Sequence, residues 1–294
     1  LNLADEFKGA HLQRYLLYLP VFIIFVCSAP APALENYYGP DLARMESDLG
    51  SVNLKQKLFE VLKSVHVLAP GRPDQLVAAC PEGQKCIAHK GLGYREARRK
   101  LFGSLFLTRV RNEYALPDIY CGRLMAESDF PAKQGPGPDK IPATTVVNAE
   151  HSWPQSRFSE RFPEYLQKGD LHILFPASAR SNSLRGNHPF GDVVTVRAQS
   201  CPASALGWIA RGGNQSHFLP PPDYRGNVAR AVLYFSVRYQ MPITENEEES
   251  LRRWSDNDPV DEAERARHNQ IFALQQVRNP FVDHPEWVDL ISDF

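Results

Sequence analysis

Two stretches decide the reading of this chain: Val146–Phe158, VVNAEHSWPQSRF, and Lys168–Gly191, KGDLHILFPASARSNSLRGNHPFG. The first is a short apolar run that ends on the adjacent pair Glu150 and His151. Side chains of a strand alternate between faces, so two neighbours serve one site only where the strand ends and the backbone turns. Ser152-Trp153-Pro154 supplies that end, because Pro154 has no N–H to offer a ladder. The second stretch opens on the apolar run Leu171–Phe175, read as a strand. A polar segment after Pro176 reads as a helix and carries Asn182 and Arg185. The order strand, strand, helix brings a carboxylate, an imidazole and a carboxamide together on a small scaffold.

Outward from this segment, the chain of 294 residues is 43% apolar, with mean hydropathy −0.37, as in ordinary soluble domains. Its first 33 residues are expected to lie outside the fold. Lys8, His11 and Arg14 precede the apolar run Leu16–Cys27, and the small-residue stretch SAPAPA follows at 28–33. That is the order of an export signal, with cleavage expected after Ala33. The run is short for a bilayer span and contains Pro20; a retained anchor is the alternative. Four cysteines follow: Cys80, Cys86, Cys121 and Cys201. An exported chain with an even count favours disulfides, of which three connectivities are possible. Cys80 with Cys86 would close a small loop and leave Cys121 with Cys201. The competing reading makes Cys80, Cys86 and His89 zinc ligands, although no fourth donor stands at a finger spacing.

Net charge is −1, so bulk charge does not point to a polyanion. Its distribution is more informative. Between His89 and Glu113 there are Lys90, Arg95, Arg98, Arg99, Lys100, Arg109 and Arg111, a local excess suited to phosphates or to a solvated helix face. From Glu245 to Glu264 acidic residues dominate, and that stretch is expected to lie away from a polyanion. Helical spacing marks Ser51–His66, Tyr94–Phe106 and Asp223–Met241. Pro259–Val277 reads as a helix capped by Asp258, with Pro259 at its first position and Pro280 as its stop. Strands are expected at Ile119–Leu124 and Val193–Val196, and a Pro/Gly-rich loop at Pro131–Pro142. Helices outnumber strands in this reading and do not alternate with them, which gives an α+β class, a mainly helical mixed fold.

Phosphodiester hydrolysis needs a water to be deprotonated, and charge to be stabilised on the phosphorane-like transition state and on the leaving oxygen. A divalent ion serves the last two needs. Mg²⁺ prefers hard oxygens and keeps several waters, so one carboxylate and one carboxamide can hold it. A neutral imidazole can take the water's proton near pH 7. No H-E-x-x-H helix or G-x-S-x-G elbow is present, so protease and esterase chemistry lacks residues.

Glu150-His151-Ser152-Trp153-Pro154-Gln155-Ser156, then Asp170-Leu171-His172-Ile173-Leu174-Phe175-Pro176, then Asn182, Arg185, Asn187 and Pro189-Phe190-Gly191 stand in that order. Tyr120-Cys121-Gly122-Arg123 lies upstream; Tyr224-Arg225-Gly226-Asn227-Val228-Ala229-Arg230 and Arg278-Asn279-Pro280-Phe281 lie downstream. This series resembles the endonuclease I family of exported, non-specific nucleases with a ββα-metal core. The resemblance implies a single nuclease domain over residues 34–294, with His151 as general base. It further implies one Mg²⁺ on Glu150 and Asn182, with Mn²⁺ or Ca²⁺ as substitutes, and Arg185 either at the substrate phosphate or bracing the helix. The implied partners are DNA and RNA, cut without sequence preference to leave 5′-phosphates. The implied protein is a monomer, secreted or periplasmic, with no stable membrane association after signal cleavage. His172 reads as a structural histidine rather than a second base. Ile173 departs from the Asn that many members carry there, which removes a possible hydrogen bond near the site. A catalytically impaired nucleic-acid-binding protein of this fold, and a metallohydrolase of other phosphodiesters, are the rival readings.

Overall fold

A computed structural model describes residues 34–39, 54–211 and 213–294. The expected leader at 1–33 lies outside the described residues. One compact unit bounded at Pro32 and Phe294 holds all of them.

At its centre stands a helix, α6 (Arg225–Tyr239), buried on nearly every side. Its apolar residues Val228, Val232, Leu233 and Phe235 fill the larger of two hydrophobic cores. Each such side chain contributes about 1.5–3 kcal/mol on burial. Its buried polar residues are paired, as low-dielectric surroundings demand. The Tyr234 and Tyr239 hydroxyls both donate to Asp170 Oδ2 at 2.9 Å, and Arg230 meets Glu264 in a buried ion pair at 2.5 Å. Gln240, in the left-handed conformation, ends the helix. Around it pack α2 (Leu54–Lys63), α7 (Glu245–Asn257) and α9 (Pro280–Asp283).

Among the described residues, eleven short strands form four small antiparallel sheets, more strand than the spacing of apolar residues suggests. The sheet relevant to function is a pair, β7 (Val147–His151) and β8 (Leu174–Ser178), in the register Glu150↔Phe175 and His151↔Leu174. Directly opposed residues project to the same face. Thus Phe175 and Ala177 enter the larger core, while Val147, Ala149 and Leu174 enter a second core with Leu101, Phe102 and Leu116. The helix α5 (Ala179–Arg185) follows β8 at once.

Several expectations shift. The second strand of the pair begins at Leu174 rather than Leu171, because Asp170–Ile173 form a turn whose Ile173 N–H donates to the Asp170 carbonyl. Of the strand expected at Ile119–Leu124, only Arg123 and Leu124 are in one: Ile119–Gly122 is the turn between β5 (Glu113–Asp118) and β6 (Arg123–Ala126), where Asp118 Oδ1 accepts from Tyr120 N and Gly122 adopts φ +61°. The helix expected from Pro259 starts at Glu262 as α8 (Glu262–Gln275), capped by Asp261. Asp258 accepts from Gly226 N at the head of α6 instead. Pro280 opens α9 rather than stopping α8, which ends at left-handed Gln276. The helix from Tyr94 is α3 (Tyr94–Lys100), continued by a π-helical turn to Leu105.

Both disulfides form, Cys80–Cys86 and Cys121–Cys201. The first excludes the zinc reading at Cys80, Cys86 and His89. His89 is half-buried beside Arg238, which donates to its Nδ1 at 3.1 Å.

Candidate active site

β7 ends at His151, before Pro154. Arg185, the last residue of α5, holds that end: Nη1 donates to the His151 carbonyl at 3.0 Å and Nη2 to the Ser152 carbonyl at 2.6 Å. The same Nη1 lies 3.1 Å from Glu150 Oε1. Arg185 is 1% exposed and stacks over Phe190. Its guanidinium is committed to the strand end and to the carboxylate. The α5 helix that carries it is started by Ser178, whose hydroxyl accepts from Ser181 N.

Glu150 is buried, and Oε1 also accepts from the Tyr120 hydroxyl at 2.8 Å. Burial raises its pKa, offset by the Arg185 charge and the Tyr120 hydrogen bond. Asn148, two residues earlier on the strand, shares its face. Asn182 Nδ2 donates to Asn148 Oδ1 at 3.2 Å. Asn182 therefore comes to the Glu150 face, and its amide orientation leaves its own Oδ1 turned from Asn148. Glu150 Oε2 and Asn182 Oδ1 are hard oxygens with no side-chain donor among the described residues.

His151 lies on the other side of the strand end, 5% exposed. Its Nε2 is 3.0 Å from the Lys168 carbonyl and its Nδ1 is 3.2 Å from Gln155 Nε2. A carbonyl only accepts, so Nε2 carries the hydrogen and Nδ1 presents the lone pair. Burial pushes the imidazole pKa down to about 4, against the Lys168 carbonyl hydrogen bond, which raises it. The ring is therefore neutral at pH 7. Tyr94 and Phe158 flank it, with ring centroids 5.5 and 5.8 Å away. Tyr94 also feels the Glu150 carboxylate, which ties the two sides of the strand end together. Arg98 and Lys168 lie over the Tyr94 ring at 5.7 and 5.5 Å. The basic segment seen in the sequence thus reaches the histidine through α3.

Tyr120, Gln155 and Tyr94 are site residues that the sequence reading did not assign. Gln155 and Tyr120 sit in the motifs that carry the family resemblance, but nothing in their spacing shows what they touch. His172 is buried and bonded to the Val277 carbonyl at 3.0 Å, a structural role as expected. Ile173 is 0% exposed, its side chain in the larger core and its carbonyl accepting from Ser152 N.

The donor set fits a hard cation. Among the described residues no three His, Cys, Asp or Glu side chains gather, so a closed thiolate or imidazole cage is not what the protein offers. One carboxylate and one carboxamide suit an octahedral ion that keeps most of its waters.

Residues 84–286 match the Endonuclease I family profile. The chain belongs to the Endonuclease I family. It is 35% identical to an extracellular ribonuclease of Bacillus subtilis (strain 168) over 163 residues, 49% of this chain and 53% of that protein. It is 31% identical to an extracellular deoxyribonuclease of Aeromonas hydrophila over 116 residues, 40% of this chain and 49% of that one. Endonuclease-1 of Buchnera aphidicola subsp. Acyrthosiphon pisum (strain APS) is 24% identical over 181 residues, 58% of this chain and 69% of its own length. This family member spans about half the length of the first two relatives.

Proposed function

We propose that this family member is an exported, Mg²⁺-dependent endonuclease that hydrolyses phosphodiester bonds of DNA and RNA without sequence preference, leaving 5′-phosphates. The observation that carries the reading is the polarity of His151. Its one N–H is spent on the Lys168 carbonyl, so the Nδ1 lone pair is the base, fixed in tautomer and neutral at pH 7. Gln155 holds that lone pair and yields it to the attacking water, whose proton passes to Nδ1. Glu150 and Asn182 hold the Mg²⁺, which supplies Lewis-acid stabilisation of phosphate charge when bound. Arg185 fixes the Glu150 carboxylate and the strand end; it is a positioning residue. Arg98 and Lys168 seat the phosphate backbone beside Tyr94. Phosphate contacts carry no base information, which is the physical basis for non-specific cutting.

Export is supported by two disulfides and by the extracellular relatives. No described helix is long and apolar enough to cross a membrane. We read the domain as a ββα-metal core of β7, β8 and α5 within residues 34–294, acting as a monomer. The alternative, a catalytically impaired binder, is separated by the nicking test below: binding without cleavage in excess Mg²⁺ would favour it.

The test is nicking of supercoiled plasmid by the purified protein, with Mg²⁺ and with Mg²⁺ plus excess EDTA. Cleavage is expected only with metal. His151→Ala is expected to cut turnover by about 10²–10⁴-fold, the usual share of a general base. A His151→Ala variant that nicks at the wild-type rate sinks the assignment. A Glu150→Ala variant with an unchanged Mg²⁺ titration removes Glu150 from the metal.

A further inference from the structure

The motif Tyr224–Arg230 has no part in the catalytic site, yet its Tyr224 and Asn227 line a cleft that shares a wall with the β7–β8 pair. The cleft encloses about 440 Å³, enough for a nucleoside. Phe175 forms part of its wall, and Phe175 is the direct cross-strand neighbour of Glu150. Phe106 and Tyr224 add aromatic surface.

Arg267 is the feature that asks for a ligand. It lines the cleft, is 7% exposed, and packs over the Phe175 and Phe106 rings at 4.7 and 5.4 Å. Its guanidinium makes no hydrogen bond or ion pair among the described residues, and Nη1 is buried without any acceptor. A buried guanidinium with no acceptor is costly, so a cleft occupant that brings one is favoured. The opposite need stands in the same cleft. Asp223 is exposed at the cleft, and neither it nor the Asn227 amide has a side-chain partner among the described residues. Asp261, the cap of α8, lines the cleft as well. These carboxylates disfavour a phosphate and favour a group with N–H donors.

An occupant that is planar, apolar on its faces, acceptor on one edge and donor on the next answers all of these. Guanine is that ligand: O6 and N7 accept from arginine, and N1–H and N2–H donate to a carboxylate or amide. We propose that this cleft is a subsite for an unpaired guanine base of the nucleic-acid strand whose phosphate is cut at Glu150 and His151. The assignment rests on the nuclease reading for its biological use, but not for its binding chemistry. A flipped or single-stranded base can enter such a cleft; a stacked and paired one cannot. The cationic seat on the backbone still cuts without base preference, and the cleft adds affinity only for strands that offer an unpaired guanine.

The test is equilibrium binding of free guanosine, with cytidine and inorganic phosphate as comparison probes, to the full protein in EDTA, followed by NMR or calorimetry. Guanosine is expected to bind saturably and at least ten-fold more tightly than cytidine, with no binding of phosphate at the cleft. Asp223→Asn, at an exposed position, and Arg267→Met are each expected to weaken guanosine binding by ten-fold or more. Should Arg267→Met fail to fold, Asp223→Asn and Asn227→Ala still decide the matter. Absent guanosine binding, equal binding of cytidine, or binding unchanged in the rim variants would overturn the subsite. Plasmid nicking by the wild type is scored separately: its absence strikes the nuclease reading and leaves the guanosine result standing.

Discussion

Arg185 shows how little a residue's type says about its job. An arginine beside a carboxylate and an imidazole invites a phosphate contact, yet its guanidinium is spent on two carbonyls and on Glu150. Removing one partner of a buried charged pair leaves the other uncompensated. Arg185→Met is therefore expected to lose about 3–5 kcal/mol of unfolding free energy, measured by denaturant titration. The salt dependence of nucleic-acid binding separates the two roles. Were Arg185 bound to a phosphate, its removal would lower the slope of log K against log salt by about 0.9, whereas removal of a brace leaves the slope unchanged. An unchanged slope is the expected result. His151 makes the same point in reverse: its place beside Glu150 was readable, but its tautomer depends on the Lys168 carbonyl, seventeen residues away in the chain.

At the scale of elements, the segment that carries that carbonyl is held by close backbone packing. A Cβ on Gly169 would stand 2.1 Å from the Leu92 carbonyl oxygen. Gln275, at the end of α8, clamps the same turn: Nε2 donates to the Gly169 carbonyl and Oε1 accepts from Leu171 N. Gly169→Ala must push the turn off Leu92 and move the Lys168 carbonyl with it. The expected cost is about 1–3 kcal/mol of stability, as for other overpacked sites, with a fall in turnover larger than the fall in substrate affinity. Normal turnover in a destabilised variant would show that the His151 contact is dispensable. Element boundaries were legible where backbone chemistry is local, as at Pro154 after β7 and in the polar helix after Pro176. They were not legible where a turn is made from residues that look like a strand. Leu171 and Ile173, like Ile119 and Tyr120, are apolar because the cores bury them, not because they belong to a strand.

For the whole molecule, the Cys121–Cys201 bond spans a sequence separation of 80 residues and begins beside Tyr120, which holds Glu150. Loop-closure entropy puts its contribution at about 4 kcal/mol. Reduction is expected to lower the melting temperature and, through Tyr120, the activity; Cys80–Cys86 closes a separation of only six and matters less. Acid is the second global lever. Burial lowers the pKa of His89 to about 3 and of His151 to about 4, and depresses His172 and His268 too. Below their ordinary value of 6.5 the unfolded chain binds protons that the folded chain refuses. Stability is thus complete above about pH 6.5 and falls as pH drops from there toward 4, by about 1.4 kcal/mol per unit for each histidine still neutral in the fold. Glu150 and Asp170, raised by burial, act oppositely as pH falls through their raised values toward the ordinary carboxylate range, and offset part of that loss. A melting temperature flat between pH 7 and 5 would refute the account.

By itself the sequence determined which chemistry was available: a carboxylate and an imidazole at a strand end, a carboxamide on the next helix, and cysteines in even number. Those features are local, because a proline, a helix cap or a run of apolar residues acts on its immediate neighbours. Only the tertiary structure decided which nitrogen of His151 keeps its lone pair, that Tyr120 and Arg185 share one oxygen of Glu150, and that the acceptorless Arg267 lines a cleft with Phe175. Those are contacts between residues tens to more than a hundred positions apart. They exist because two cores pack the β7–β8 pair between them, and no spacing along the chain encodes that meeting.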